Sequence, residues 1–243
     1  GIGMTGIASG RVQKLDVKKS VSVAIEENKR VANLIGIREA ARITCVKPSG
    51  TSSLVLGCAS GIHAWHNEYY IRRLRVGKNE AIYRHLAKHH PELLEDDYFR
   101  PHDSAVISVP IKAPEGALTR RESALDLLER VKWFSENWIK PGHIKGNNTH
   151  NVSATISVKE NEWGEVGEWM WENRDFYNGL SVLPHDSGTY KQAPFEDITE
   201  EQYEEMVRHL HTIDLSTIVE EEDNTDQKGE VACGAGGCSV EFV

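Results

Sequence analysis

Residues 152 to 158 read Val-Ser-Ala-Thr-Ile-Ser-Val, with apolar side chains at 152, 154, 156 and 158. A period of two predicts a strand with one face buried. Ala105 to Val109 and Leu180 to Leu183 are further strand signals, the latter stopped by Pro184. Ile43 to Val46 and Leu54 to Leu56 give two more, on either side of Pro48-Ser49-Gly50. A different spacing governs Glu122 to Ile139, where Ala124, Leu127, Leu128, Val131, Phe134 and Trp138 recur at intervals of three and four. That stripe predicts an amphipathic helix. Thr119 and Glu122 have the spacing of a capping box, and Pro141-Gly142 closes the helix. A second helix follows Thr199, with Gln202 at the third position after it and a stripe of Tyr203, Met206, Val207 and Leu210. The region Val21 to Ala41 also reads helical, and Asn79 to His89 is a shorter candidate ended by Pro91. Short β-rich runs alternating with amphipathic helices, without a repeat of fixed period, predict an α/β fold.

The pattern fades after residue 218. Residues 220 to 228 are acidic and polar, without a face to bury, and read as a solvated linker. The boundaries are therefore a folded domain over 1–218 and a flexible tail over 219–243.

Composition narrows the function classes. The chain has 243 residues, 39% apolar and 27% charged, as in soluble globular proteins. Its formal net charge of −9 gives no general attraction to nucleic acid or to an anionic membrane, so an anionic substrate needs a local site. No apolar stretch approaches the roughly 20 residues that span a bilayer. The N-terminus, Gly1-Ile2-Gly3-Met4, lacks the basic-then-apolar order of a signal peptide and does not begin with Met. It reads as the start of a fragment whose upstream part is missing. Four cysteines, Cys45, Cys58, Cys233 and Cys238, are too few for a secreted disulfide scaffold, and a reducing cytoplasm is the default.

Three segments could carry chemistry. In Lys47-Pro48-Ser49-Gly50-Thr51-Ser52-Ser53, hydroxyls and free backbone N–H groups could bind phosphate oxygens, and Gly lets a backbone come close to a ligand. The Gly-Lys-Ser/Thr ending of a P-loop is absent, and a strand-connecting turn is the alternative. Cys233-Gly234-Ala235-Gly236-Gly237-Cys238 can close a disulfide ring with little steric obstruction. A dithiol on a mobile tail can reduce a buried disulfide by exchange; an incidental pair in a frayed tail is the alternative. Zinc would need further ligands that the neighbourhood lacks, so no metal is assigned. In Gly61 to Arg73, His63 and His66 could be metal ligands and Tyr69-Tyr70 could suggest radical transfer, but packing is the favoured reading. Cys45 and Cys58 sit among apolar residues and read as buried, inert thiols.

Taken in order, these segments resemble the C-terminal half of the adenosylcobalamin-dependent (class II) ribonucleotide reductases, monomeric type. The matching residues are Gly1 to Ala8, Lys47 to Thr51, Gly61-Ile62-His63, Glu68 to Arg73, Asn151 to Ser157, Gly179 to Pro184 and Cys233 to Cys238. The resemblance implies the second half of a ten-stranded α/β barrel with a flexible C-terminal tail. It implies reduction of ribonucleoside triphosphates (or diphosphates) to 2′-deoxyribonucleotides for DNA synthesis, by thiyl-radical chemistry started by adenosylcobalamin (coenzyme B12). It assigns phosphate binding to Ser49, Gly50, Thr51 and Ser52, with Ser53 beside them. It assigns a redox-shuttle role to Cys233 and Cys238, recharged by thioredoxin or a similar dithiol reductant. The family's Asn-Pro-Cys-x-Glu loop is nowhere in these residues, so the radical is assigned to neither Cys45 nor Cys58, and an N-terminal half is the expected partner. Neither nucleic acid nor a membrane is an expected partner. The competing readings are the large subunit of a class I reductase, against which Gly50 stands where Ala is usual, and a thiol redox or metal-binding module built on the tail.

Overall fold

A computed structural model of the chain describes residues 1–185 and 190–219. The elements run in the order β1 (Ile2–Met4), α1 (Val17–Ile35), β2 (Thr44–Val46), α2 (Gly50–Val55), β3 (Tyr69–Gly77), α3 (Ala81–His89), β4 (Leu94–Asp96), β5 (Ser104–Lys112), α4 (Ala124–Phe134), β6 (Thr155–Val158), α5 (Trp163–Glu172), β7 (Ser181–Pro184), β8 (Phe195–Asp197) and α6 (Glu200–Arg208). They fall into two compact units: Gly1–Trp65 with residues 114–185, and His66–Ala113 with residues 190–219. The tail over 220–243, including Cys233 and Cys238, lies outside the described residues.

The first unit is built on parallel strands. β1 pairs with β2, and β6 with β7. A bridge between Val46 and Val152, backed by Ser153 N–H donating to the Val46 carbonyl at 3.1 Å, joins the two pairs. Parallel neighbours need crossover connections: α1 lies in the chain between β1 and β2, α4 between β2 and β6, α5 between β6 and β7. The residues on the alternating face of 152–158 are all buried, Val152 and Ile156 to 1% and 0% exposure. They meet Leu127, Leu128, Val131, Phe134 and Trp138 in one core, so the strand and helix patterns read from the sequence close on each other.

Several elements depart from expectation. Leu54 and Val55 belong to α2, not to a strand; a three-residue apolar run does not distinguish helix from strand, and Leu56 N–H closes a helical bond on the Ser52 carbonyl. α4 is capped by Ser123 and Asp126 rather than by Thr119 and Glu122, because the Glu122 carboxylate is taken by Arg130. The helix continues through a wider π turn, Ser135–Ile139. α1 begins at Val17 behind an Asp16 cap and stops at Gly36, whose φ of 74° ends a helix without steric cost. Cys45 is buried, whereas Cys58 is only partly so; both are free thiols.

The second unit is an antiparallel sheet of order β4-β5-β3-β8. Its backbone is the ladder of β3 on β5, from Tyr69 opposite Lys112 to Gly77 opposite Ser104. β3 escaped the sequence reading because Arg72, Arg73 and Arg75 break its apolar alternation. Each is partly covered in place: Arg72 lies 4.3 Å from the Phe195 ring centroid, Arg73 meets Glu196, and Arg75 meets the buried Asp97. Among the described residues no helix is long and apolar enough to cross a membrane.

Candidate functional site

The parallel strands of the first unit set the position of the site. Thr5 follows β1, Lys47 to Ser49 follow β2, Lys159 follows β6 and His185 follows β7. In open parallel sheets ligands bind beyond the carboxyl ends of the strands, and the Ser/Thr loop lies on that side.

The loop is organised around hydroxyl groups. Ser49 Oγ contacts Ser53 Oγ and Thr5 Oγ1, and Thr5 Oγ1 is 3.1 Å from Ser53 Oγ. Thr5 also donates to the Ala59 carbonyl at 3.1 Å. The Gly61 N–H donates to Thr5 Oγ1 at 2.9 Å and to Ser49 Oγ at 3.3 Å. One residue earlier, Ser60 Oγ accepts the Gly50 N–H at 3.0 Å. Residues 59 to 61 therefore form the back wall of the loop.

Gly61 is required there. Its φ is 57°, and a Cβ would land on the Lys47 carbonyl oxygen and 3.2 Å from Pro48 Cα. Only glycine allows the two segments to approach this closely.

His63 locks the wall to the sheet. Its Nδ1–H donates to the Ser60 carbonyl and its Nε2 accepts the Thr155 N–H, both at 2.9 Å. These partners assign a neutral ring with the proton on Nδ1. Burial holds the His63 pKa below its ordinary value, helped by the nearby Arg130 charge and opposed by the Ser60 carbonyl. Behind it, Arg130 pairs with Glu122 through two bonds of 2.7 and 2.8 Å and also donates to the Ile62 carbonyl at 3.4 Å. This ion pair is largely excluded from water.

The structure thus brings Ser49 and Ser53 together and adds Thr5, Gly61 and His63 from other segments singled out in the sequence, and Ser60, which lies in none of them. Ser53 is fully buried, while Gly50 and Ser52 are exposed. Thr51 lies on α2. His63 and His66 do not share a ligand: His66 stacks on Phe195 and meets Asp197 at 3.1 Å. Tyr70 is buried and its hydroxyl is pushed up to about 12 by desolvation, while Tyr69 donates to Glu200 at 2.5 Å. Among the described residues no group of three or more His, Cys, Asp or Glu side chains could hold a metal ion.

The described residues of the first unit line a small cleft beside His63 and a larger cavity away from the loop. A cleft of about 40 Å³ is lined by His63, Glu122, Ser157 and His185 among others, with space for a water or two. A larger one of about 320 Å³ is lined by α1 and β1 and is mainly apolar. It has none of the loop hydroxyls in its lining and is not the candidate site.

No protein-family model matches the chain. The chain is 28% identical over 215 residues to an adenosylcobalamin-dependent ribonucleoside-triphosphate reductase from Euglena gracilis, covering 86% of the chain and 28% of that protein. It is 28% identical over 221 residues to a reductase of the same name from Lactobacillus gasseri, covering 89% of the chain and 29% of that protein. A probable reductase of that kind from Dictyostelium discoideum is 27% identical over 209 residues, covering 79% and 25%. The fold matches a crystal structure of a B12-dependent (class II) ribonucleotide reductase with a TM-score of 0.66 and 23% identity, over 79% of the chain and 26% of that structure. The chain is similar to these reductases over most of its own length, and spans between a quarter and a third of theirs.

Proposed function

We propose that this chain forms the nucleotide-phosphate side of an adenosylcobalamin-dependent ribonucleotide reductase that converts ribonucleoside triphosphates to 2′-deoxyribonucleotides. The observation that carries the reading is the loop from Lys47 to Ser53, set beyond the carboxyl ends of parallel strands and backed by residues 59 to 61. A negatively charged phosphate is well served by hydroxyl and amide donors there, with Lys47 exposed beside them. Ser49, Gly50, Thr51, Ser52 and Ser53 are the proposed phosphate-loop residues. The strands of the first unit are the proposed contribution to a barrel, completed by an N-terminal half.

The cofactor supplies the initiating radical in such an enzyme. The larger described cavity, about 320 Å³ and lined by α1 and β1, is far smaller than a corrinoid, so the residues described do not fit that group by themselves and no step is assigned through it. Reduction of the ribose removes the 2′-hydroxyl as water and draws two electrons and two protons from a cysteine pair, which becomes a disulfide. Cys233 and Cys238 are proposed to reduce that disulfide by exchange, becoming oxidised themselves and then recharged by thioredoxin or a similar dithiol.

The test uses the protein at its natural length, with a ribonucleoside triphosphate, adenosylcobalamin and either thioredoxin or dithiothreitol. Deoxynucleotide should form only when the cobalamin is present. Cys233→Ser or Cys238→Ser should abolish thioredoxin-driven turnover and leave turnover with dithiothreitol. Cobalamin-independent turnover that needs a separate radical-generating subunit would instead assign a class I reductase.

A further inference from the structure

The hydroxyls of the candidate phosphate loop do not all have a hydrogen to give. Each of Thr5, Ser49 and Ser53 carries one O–H hydrogen. These hydroxyls share four contacts: Thr5 with Ser49, Thr5 with Ser53, Ser49 with Ser53, and Thr5 with the Ala59 carbonyl. Thr5 gives its hydrogen to the Ala59 carbonyl, so the hydrogens of Ser49 and Ser53 are the two available to the three hydroxyl–hydroxyl contacts, and both are taken up inside the cluster. Ser53 is in addition fully buried. Ser49 and Ser53 are thereby fixed as internal partners, and Thr5 is the node that holds them, since it also accepts the Gly61 N–H.

Ser60 differs. Its Oγ accepts the Gly50 N–H at 3.0 Å, and among the described residues its own hydrogen has no acceptor. It is only partly buried, and its carbonyl is tied to His63, so its backbone is held while its hydroxyl hydrogen is uncommitted. We propose that Ser60 is a direct hydroxyl donor to the substrate's phosphate, placed against Gly50, while Thr5 positions Ser49 and Ser53 as the scaffold of the loop. The inference rests on the phosphate-loop reading given above and changes which residues touch the ligand: Ser60 joins the exposed Ser52, and Ser49 and Ser53 act from within the hydroxyl cluster that braces the loop.

The experiment measures binding of a ribonucleoside triphosphate and of the matching nucleoside to the protein at its natural length, with melting temperature recorded for each variant. Ser60→Ala should weaken triphosphate binding by about tenfold or more, the scale of one hydrogen bond to a charged group, and leave nucleoside binding and melting temperature unchanged. Ser60→Thr, which keeps the hydroxyl, should restore triphosphate binding. Thr5→Val should lower melting temperature and triphosphate affinity together, and Thr5→Ser should recover both. A wild-type protein that prefers triphosphate to nucleoside while Ser60→Ala binds triphosphate equally well overturns this inference alone. A wild-type protein that binds the two ligands equally overturns the phosphate-loop reading and this inference with it. If Ser60→Ala lowers the melting temperature, the Ser60→Thr protein decides: a stable Ser60→Thr protein with weakened triphosphate binding overturns the donor role.

Discussion

Helices α4 and α6 begin with the same device and end with different weight in the structure. Each opens on a capping box, Ser123 with Asp126 in the first unit and Thr199 with Gln202 in the second. α4 then buries six of its eleven residues, whereas none of the nine in α6 is buried. Their ion pairs differ in the same way. Glu122–Arg130 has side-chain exposures of 14% and 7%, Glu205–Arg208 of 58% and 66%. Local sequence signals start both helices equally well, but the surroundings decide what an interaction is worth. The candidate site draws on the buried class: Arg130 reaches the Ile62 carbonyl, next to the wall that backs the loop.

The contrast is broken most severely by removing one buried charge. Glu122→Gln leaves the Arg130 guanidinium buried against a neutral amide, and loss of one partner of such a pair costs about 3–5 kcal/mol. Denaturant titration should show a large drop in midpoint. Glu205→Gln, removing the equivalent exposed partner, should leave the midpoint within error of wild type, because solvent screens that pair. Equal effects at the two sites would mean that the burial contrast carries no energetic consequence.

A smaller loss is expected at Gly61. Adding a Cβ forces a left-handed backbone onto an L side chain, at about 1–2 kcal/mol, and places that carbon against Lys47 and Pro48. Gly61→Ala should therefore lower stability by about 2 kcal/mol or more, and displace the Gly61 N–H from Thr5 and Ser49. Gly36→Ala is the comparison within the same unit: its φ is 74° but nothing lies within 4 Å of the added carbon, so only the conformational part should be lost. Matching denaturation midpoints for the two variants would remove the close-approach argument.

Much of this was legible in the sequence where pattern and packing coincide. The alternation over 152–158 and the stripe over 124–138 predicted the buried face of each element, and Thr199 with Gln202 predicted its cap. Elements failed where charge interrupted the pattern, as at β3, or where a run was too short to have a period, as at Leu54 to Leu56. Within the site, the Ser/Thr loop could be picked out because its hydroxyls are contiguous. Thr5 lies 44 residues from Ser49, and Ser60 makes its contact with Gly50 across 10. Chain proximity gives no hint of either pairing; parallel strands joined by crossovers bring their carboxyl ends together from distant positions. Gly61 was marked by the Gly61-Ile62-His63 segment, but the reason for a glycine there, close approach to Lys47, is tertiary.

The smallest expected effect is also the one that depends on pH. His63 is held neutral, with Nδ1–H donating to Ser60 and Nε2 accepting from Thr155. Protonation would set an N–H against the Thr155 N–H, near the Arg130 charge. Its folded pKa accordingly lies below the ordinary value of 6.5, with burial as the largest cause. The unfolded chain then takes up this proton at a higher pH than the folded protein does. The contribution to stability is complete above about pH 6.5 and is lost progressively as pH falls from there through the lower folded pKa, with each unit of separation worth about 1.4 kcal/mol. His63→Gln removes this titration but not those of the other histidines. The difference in unfolding free energy between wild type and variant should therefore shrink as pH is lowered from 7 toward 5. A difference that stayed constant across that range would mean that His63 is not the neutral lock between the loop wall and β6, and that the wall is held by its other contacts, with Thr5, Gly6 and Ile7 among them.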